Sequence, residues 1–262
     1  MMDVTDAAVL SRAARIPGEA VRLVASAAEE SLLLRITGSV AVALHCPQHN
    51  RLMSELGRRP FYDIDFWGRD RDHQRIDAFF HAQGYLADPA ARGLREWGIK
   101  RQIFGHPETD IKIDVFLDTL VMAHSISFVD RLALADPCVP VADLLLSKLQ
   151  IHEITDNDLI DLTVLFGEHA IDRQGSRHLD LDRLVDVLCD DWGFWYTASQ
   201  NLASLHEWVD RRGVDAELGV RVQSRIKLLR TELDEAPKSR RWRLRAKIGT
   251  RKRWYESVEE VG

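Results

Sequence analysis

The chain has 262 residues, 45% of them hydrophobic and 29% charged, which is enough to bury a sizeable core and excludes a disordered or fibrous protein. Its formal net charge of −6 hides an asymmetry: residues 238–253 carry nine basic residues and no acidic one, leaving −15 on the remainder, so this tail is expected to seek nucleic acid or an anionic surface, or to fold back on its own acidic body. No apolar stretch approaches the ~20 residues that cross a bilayer and no secretory signal opens the chain, so a cytoplasmic protein with no membrane partner is expected.

Residues 6–30, rich in Ala, Glu and Arg with a Pro17-Gly18 break, predict one interrupted helix or two short ones. Residues 32–36 read as a buried strand ending at Thr37-Gly38-Ser39, and residues 40–45 as the opening of a helix with Ser39 at or near its N-cap. Residues 62–67 and 110–116 alternate with period two, placing Asp63 and Asp65 on one strand face and Asp110, Lys112 and Asp114 on another. A helix is expected over residues 73–83, ended by Gly84. From Val141 the pattern turns helical: Leu144, Leu145 and Leu149 with Lys148, then Leu159, Leu162, Val164 and Leu165, then helices near 181–190, 196–211 and 214–233. Cys46, Cys138 and Cys189 have no zinc-ligand spacing and read as reduced, buried thiols.

Aspartates two apart on a strand project about 7 Å apart along one face, close enough to share divalent cations. A third aspartate on a second strand raises the mutual repulsion that Mg²⁺ or Mn²⁺ would relieve. Two such ions about 4 Å apart activate an attacking oxygen and stabilise a pyrophosphate leaving group. A Gly-Ser turn into a helix adds amides that favour phosphate.

In order, Thr37-Gly38-Ser39-Val40-Ala41, Asp63-Ile64-Asp65-Phe66 and Lys112-Ile113-Asp114-Val115 resemble the polymerase-beta-type nucleotidyltransferase superfamily. Continued through Val141-Ala142-Asp143-Leu144-Leu145-Leu146-Ser147-Lys148-Leu149 and Asp158-Leu159-Ile160-Asp161-Leu162, the resemblance is closest to the AbiEii-like branch, known for toxin components of bacterial toxin–antitoxin and phage-defence systems. It covers about residues 30–168. It implies an α+β fold, a small mixed β-sheet core flanked by helices and followed by a helical C-terminal domain. The expected divisions are a helical segment at 1–30, the core at 31–140, a helical domain at 141–236 and the basic tail at 237–262.

The resemblance also implies roles. Gly38 and Ser39 would contact the β- and γ-phosphates of a nucleoside triphosphate such as ATP, and Asp63 and Asp65 would ligate both metals. Asp114 would complete one metal site and help deprotonate the acceptor hydroxyl. Lys148 would contact phosphate or position the acceptor, and Asp161 would lie on the second helix of its pair. The implied activity is Mg²⁺- or Mn²⁺-dependent transfer of a nucleoside monophosphate to a hydroxyl, with RNA as the candidate acceptor and an antitoxin protein as a candidate partner. One departure is the 23 residues between Ser39 and Asp63, which include Arg51, Arg58 and Arg59; such an insertion costs little.

Other readings compete. The protein could be a nucleotide- or RNA-binding relic of the same fold, or a transferase acting on an antibiotic or metabolite. Lysines on amphipathic helices are usually solvated, and Asp158 and Asp161 read equally well as capping and surface carboxylates. Lys112 would partly neutralise the acidic cluster. His45, His106, His124 and His152 read as surface or satisfied core groups, and Trp67 as packing. In the tail, Arg240, Arg241, Arg243, Arg245, Lys247, Arg251, Lys252 and Arg253 interleave with aromatics, the combination that grips a phosphate backbone. The alternative is a charged helix end packed on the body through Trp242, Leu244, Ile248 and Trp254.

Overall fold

A computed structural model describes residues 4–89, 91, 93, 98–173 and 177–257, with side chains from residue 13 onward. In chain order the elements are α1 (Val4–Glu29), β1 (Arg35–Thr37), α2 (Gly38–His45), α3 (Asn50–Glu55), β2 (Asp63–Gly68), α4 (His73–Ala82), β3 (Leu86–Ala87), β4 (Arg101–Gly105), β5 (Lys112–Leu117), β6 (Thr119–Val121) and β7 (Ser125–Ser127). There follow α5 (Val141–Leu149), α6 (Asp156–Glu168), β8 (Ile171–Asp172), β9 (Leu179–Asp180), α7 (Leu181–Leu188), α8 (Trp192–Arg212), α9 (Ala216–Glu235) and α10 (Arg240–Ile248). The fold is mixed α+β with a helical C-terminal portion, as the resemblance implied. No helix among the described residues is long and apolar enough to cross a membrane.

The chain divides into two units. The first takes the described parts of residues 1–47, 59–120 and 127–139, and the second those of 48–58, 121–126 and 140–262. The first unit is built on a five-stranded mixed sheet of order β1-β2-β5-β4-β3, in which only β2 and β5 run parallel. Alternation puts Ile64, Phe66, Ile113, Val115 and Phe104 on one buried face. Phe80 of α4 packs there, its ring centroid 4.7 Å from Phe104 and 6.0 Å from Phe66.

Helix α1 runs unbroken through Pro17. A proline inside a helix costs roughly 3 kcal/mol, but Ala13, Ile16, Ala20, Leu23, Val24 and Ala27 bury one stripe of this helix, and that burial outweighs the lost backbone bond. The expected strand at 32–36 is shorter and later, because the ladder to β2 holds only Arg35–Thr37; Leu32 and Leu34 are buried without joining it. Asp110 lies outside β5, in left-handed backbone with φ 55°.

In the second unit, capping side chains open α6, α8, α9 and α10. Thr155 and Asp158 form a reciprocal capping box on α6, and Asp191, Asp215 and Ser239 cap α8, α9 and α10. Helix α8 starts earlier than its apolar spacing indicated because Asp191 accepts from the Phe194 amide at 3.0 Å. Leu145, Leu149, Leu162, Leu165, Leu205, Val222 and Leu229 are buried among these helices. All three cysteines are buried, and none forms a disulfide among the described residues.

Candidate active site

Strand register assembles the acidic cluster. Asp65 of β2 is the partner of Asp114 on parallel β5 and of Thr37 on antiparallel β1, while Asp63 is the partner of Lys112. Thr37, Asp65, Asp114 and Ile103 therefore form one row across four strands, with Asp63 two residues from Asp65 on the same face. Burial deepens across the cluster: Asp63 is exposed, Asp65 half-buried and Asp114 only 8% exposed.

Helix α2 begins directly after Thr37, so its first turn stands beside Asp65. Thr37 is the extended N-cap residue but makes no side-chain cap bond, and the helix opens at Gly38, one residue before the expected Ser39 cap. Gly38 takes φ +63°, and an added Cβ there would lie 2.0 Å from Asp65 Oδ2. Both the backbone conformation and the approach of the carboxylate require glycine. The amide end of α2 thus adjoins one edge of the acidic row, a suitable setting for phosphate.

Arg101 of β4 hydrogen-bonds to Asp114 of the cluster, a role the sequence pattern does not announce. Its Nε lies 2.7 Å from Oδ1 and 2.8 Å from Oδ2 of Asp114, and Nη2 also donates to Oδ2. Burial pushes the Asp114 carboxyl above its ordinary pKa, opposed by Arg101 and reinforced by the charge of Asp63. The hydrogen bonds to Asp114 raise the Arg101 pKa against its own desolvation, and the charges of Asp65 and Asp63 add to this.

The donor set suits a hard divalent cation, being carboxylate oxygens on one face with a positive group already seated on the third. Among the described residues, however, no three metal-ligating side chains converge closely enough to hold an ion as they stand. Trp67, on the same face as Asp65, is fully buried and stacks on Phe128 at 4.1 Å, a packing role.

Lys148 lies in the second unit. Its Nζ is 3.1 Å from Asp158 Oδ1 and 2.9 Å from Asp161 Oδ2. Arg58 donates to both oxygens of Asp161, with Nε 2.8 Å from Oδ1 and Nη2 3.2 Å from Oδ2. Asp161 is completely buried, which corrects its reading as a surface carboxylate, whereas Asp158 is the capping residue expected. Desolvation pulls the Lys148 pKa down, but Asp161 and Asp158 outweigh it and hold the ammonium above its ordinary value. Of the arginines in the insertion, Arg58 serves Asp161 and Arg51 pairs with Glu55 at 2.7 Å.

The tail folds onto the second unit. Trp254 Nε1 donates to Thr197 Oγ1 at 3.1 Å, and the Trp254 carbonyl sits where a Cβ on Gly193 would be, 2.4 Å away. The Trp242 ring meets Trp195 edge-on at 5.3 Å. Leu244 and Ile248 are exposed, so the expected packing through them does not occur; α10 is a single short helix held through its indole side. Arg245 is half-buried over Trp192 at 4.8 Å and donates to the carbonyls of Gly249, Lys252 and Arg253. Arg240, Arg241, Arg243, Lys247, Arg251, Lys252 and Arg253 face solvent. His124 is a satisfied core histidine, stacked on Phe194 and 2.8 Å from Thr197 Oγ1.

Comparison of the chain with protein-family models and with curated proteins finds no match.

Proposed function

We propose that the chain is a divalent-metal-dependent nucleotidyltransferase that moves a nucleoside monophosphate from a nucleoside triphosphate to a hydroxyl acceptor and releases pyrophosphate. The observation that carries this reading is the in-register pairing of Asp65 with Asp114 beside the amide end of α2, where Gly38 leaves room for the Asp65 carboxylate. In this reading the amides of Gly38 and Ser39 hold the terminal phosphates, and Asp63 and Asp65 hold the cation. Asp114 completes the cation site and accepts the proton of the acceptor hydroxyl. A bound Mg²⁺ or Mn²⁺ supplies charge stabilisation to the departing pyrophosphate. Lys148, its ammonium shared by two carboxylates, ties α5 to α6.

RNA is the acceptor we favour, because seven exposed tail cations offer a phosphate-binding strip. A toxin role with an antitoxin partner rests on the resemblance alone. A second reading, a nucleotide- or RNA-binding protein without turnover, is favoured by the engagement of both Asp114 oxygens by Arg101. Incubating the protein with each of four labelled nucleoside triphosphates, Mg²⁺ and a pool of small RNAs separates the two. Label on RNA from one donor, abolished in Asp65→Ala, supports the transferase; transfer surviving Asp65→Ala overturns the assignment. Donor binding without pyrophosphate release supports the second reading, and label on a small-molecule hydroxyl in place of RNA would redirect the acceptor assignment.

A further inference from the structure

We infer that Arg101 is the resident counter-cation of the acidic row, and that it sets the divalent-cation affinity of the site by competing for the Asp114 carboxylate. This rests on the transferase reading of Asp63, Asp65 and Asp114 and adds to it a positioning residue.

Three observations carry the inference. First, the contact is complete: Arg101 engages both oxygens of Asp114, so the carboxylate most deeply buried in the row is already satisfied. Second, the partners differ in exposure, 29% for the Arg101 side chain against 12% for Asp114. The arginine reaches solvent through a long stem, while the aspartate is fixed between neighbouring strands. Arg101 lies opposite Phe116 on β5, and its guanidinium covers that ring at 5.2 Å, so it reaches Asp114 diagonally. Releasing the contact asks for side-chain rotation and no change of strand pairing.

Third, the site has an excess of one sign. Asp63, Asp65 and Asp114 share a face, Lys112 is the exposed strand partner of Asp63, and Arg101 hydrogen-bonds to Asp114. A divalent cation and a guanidinium on one carboxylate repel each other. Arg101 therefore gives up Asp114 when such a cation arrives, and the site keeps a compensating charge at every stage.

Mn²⁺ binding without nucleotide tests this, followed by the electron paramagnetic resonance of free Mn²⁺ at fixed ionic strength on the full chain. Arg101→Gln is expected to bind Mn²⁺ about tenfold more tightly than the unaltered protein, the scale on which a neighbouring charge acts on a carboxylate. Arg101→Lys, which keeps a charge but cannot make the two-pronged contact, is expected to fall between them. If the glutamine variant fails to fold by circular dichroism, the lysine variant decides. Affinity in the folded variant equal to or weaker than that of the unaltered protein overturns the inference. Asp65→Asn separates this failure from that of the underlying reading. If it leaves Mn²⁺ binding intact, the ion sits elsewhere and the transferase site falls, whereas binding that depends on Asp65 and ignores Arg101 overturns only the counter-cation role.

Discussion

Gly38 and Asp65 meet so closely that a Cβ on the first would lie 2.0 Å from a carboxylate oxygen of the second. The contact joins the first turn of α2 to the centre of the acidic row, so position 38 controls where the carboxylate sits. Gly38→Ala is expected to cost about 1–2 kcal/mol from the left-handed backbone alone and to push Asp65 out of the row. A urea melt should show the modest stability loss, while nucleotide transfer falls by far more than that loss explains. Transfer at the unaltered level would mean that Asp65 tolerates displacement.

Asp161, fully buried, joins two half-buried cations and should contribute strongly to the stability of the second unit. Removing it as Asp161→Ala takes a buried carboxylate from Arg58 and leaves Lys148 only its contact with Asp158, an expected cost of about 3–5 kcal/mol in a denaturant titration. Lys148→Met/Asp161→Ala should cost less than the two single changes together, because the Lys148–Asp161 contact is lost in each single change and can be lost only once in the double variant. Additivity would show that the ammonium and the carboxylate act independently.

His124 should make the protein acid-sensitive. Burial lowers its pKa from 6.5 to about 4, with Asp191 opposing the shift and His152 adding to it. The imidazole is thus neutral in the folded protein where the unfolded chain is already protonated. The unfolded chain holds the extra proton between these two values, so stability falls as pH drops through that window, by on the order of 2 kcal/mol. His124→Gln should flatten the dependence in melts recorded from pH 7 to 4.5, although it lowers stability at neutral pH. An equally steep decline in the variant would assign the acid sensitivity to other groups.

Gly193 and the tail arginines separate docking of the tail from its use. Gly193→Ala should displace the Trp254 carbonyl and weaken the Trp254–Thr197 hydrogen bond, visible as faster proteolysis after residue 237. Replacing Arg240, Arg241, Arg243 and Lys247 with alanine should leave the melting temperature nearly unchanged, because these side chains are exposed. If the strip binds RNA, the slope of log affinity against log salt should become shallower by about 0.7 for each phosphate that the variant no longer neutralises. An unchanged slope would rule this strip out as the RNA-binding surface.

Much of the first unit was legible because its strands alternate cleanly. Asp63-Ile64-Asp65-Phe66 and Lys112-Ile113-Asp114-Val115 each announce a face, and the structure pairs them in register. Arg101 was not legible as a partner of Asp114, because the diagonal contact depends on which strand lies beside β5 and in what register; no local pattern encodes either. Pro17 misled for a related reason, since a local breaker was overruled by burial along the whole of α1. Asp161 looked like a surface carboxylate because its second cation, Arg58, lies 103 residues away in the sequence. The tail was half legible: its tryptophans pack as their chemistry suggests, yet Leu244 and Ile248 do not follow them.

The insertion between Ser39 and Asp63 has a consequence for how the protein can be dissected. Residues 48–58 belong to the second unit, held through His49 on Glu168 and Arg58 on Asp161. Neither unit is therefore a continuous stretch of polypeptide. A fragment starting at residue 140 would leave Asp161 without its arginine, and one ending at 139 would carry an orphaned strap whose buried partners are gone. Synthesis must also pass residue 168 before the strap meets both of its acidic anchors, so a truncated translation product inherits a dangling loop and not a finished half.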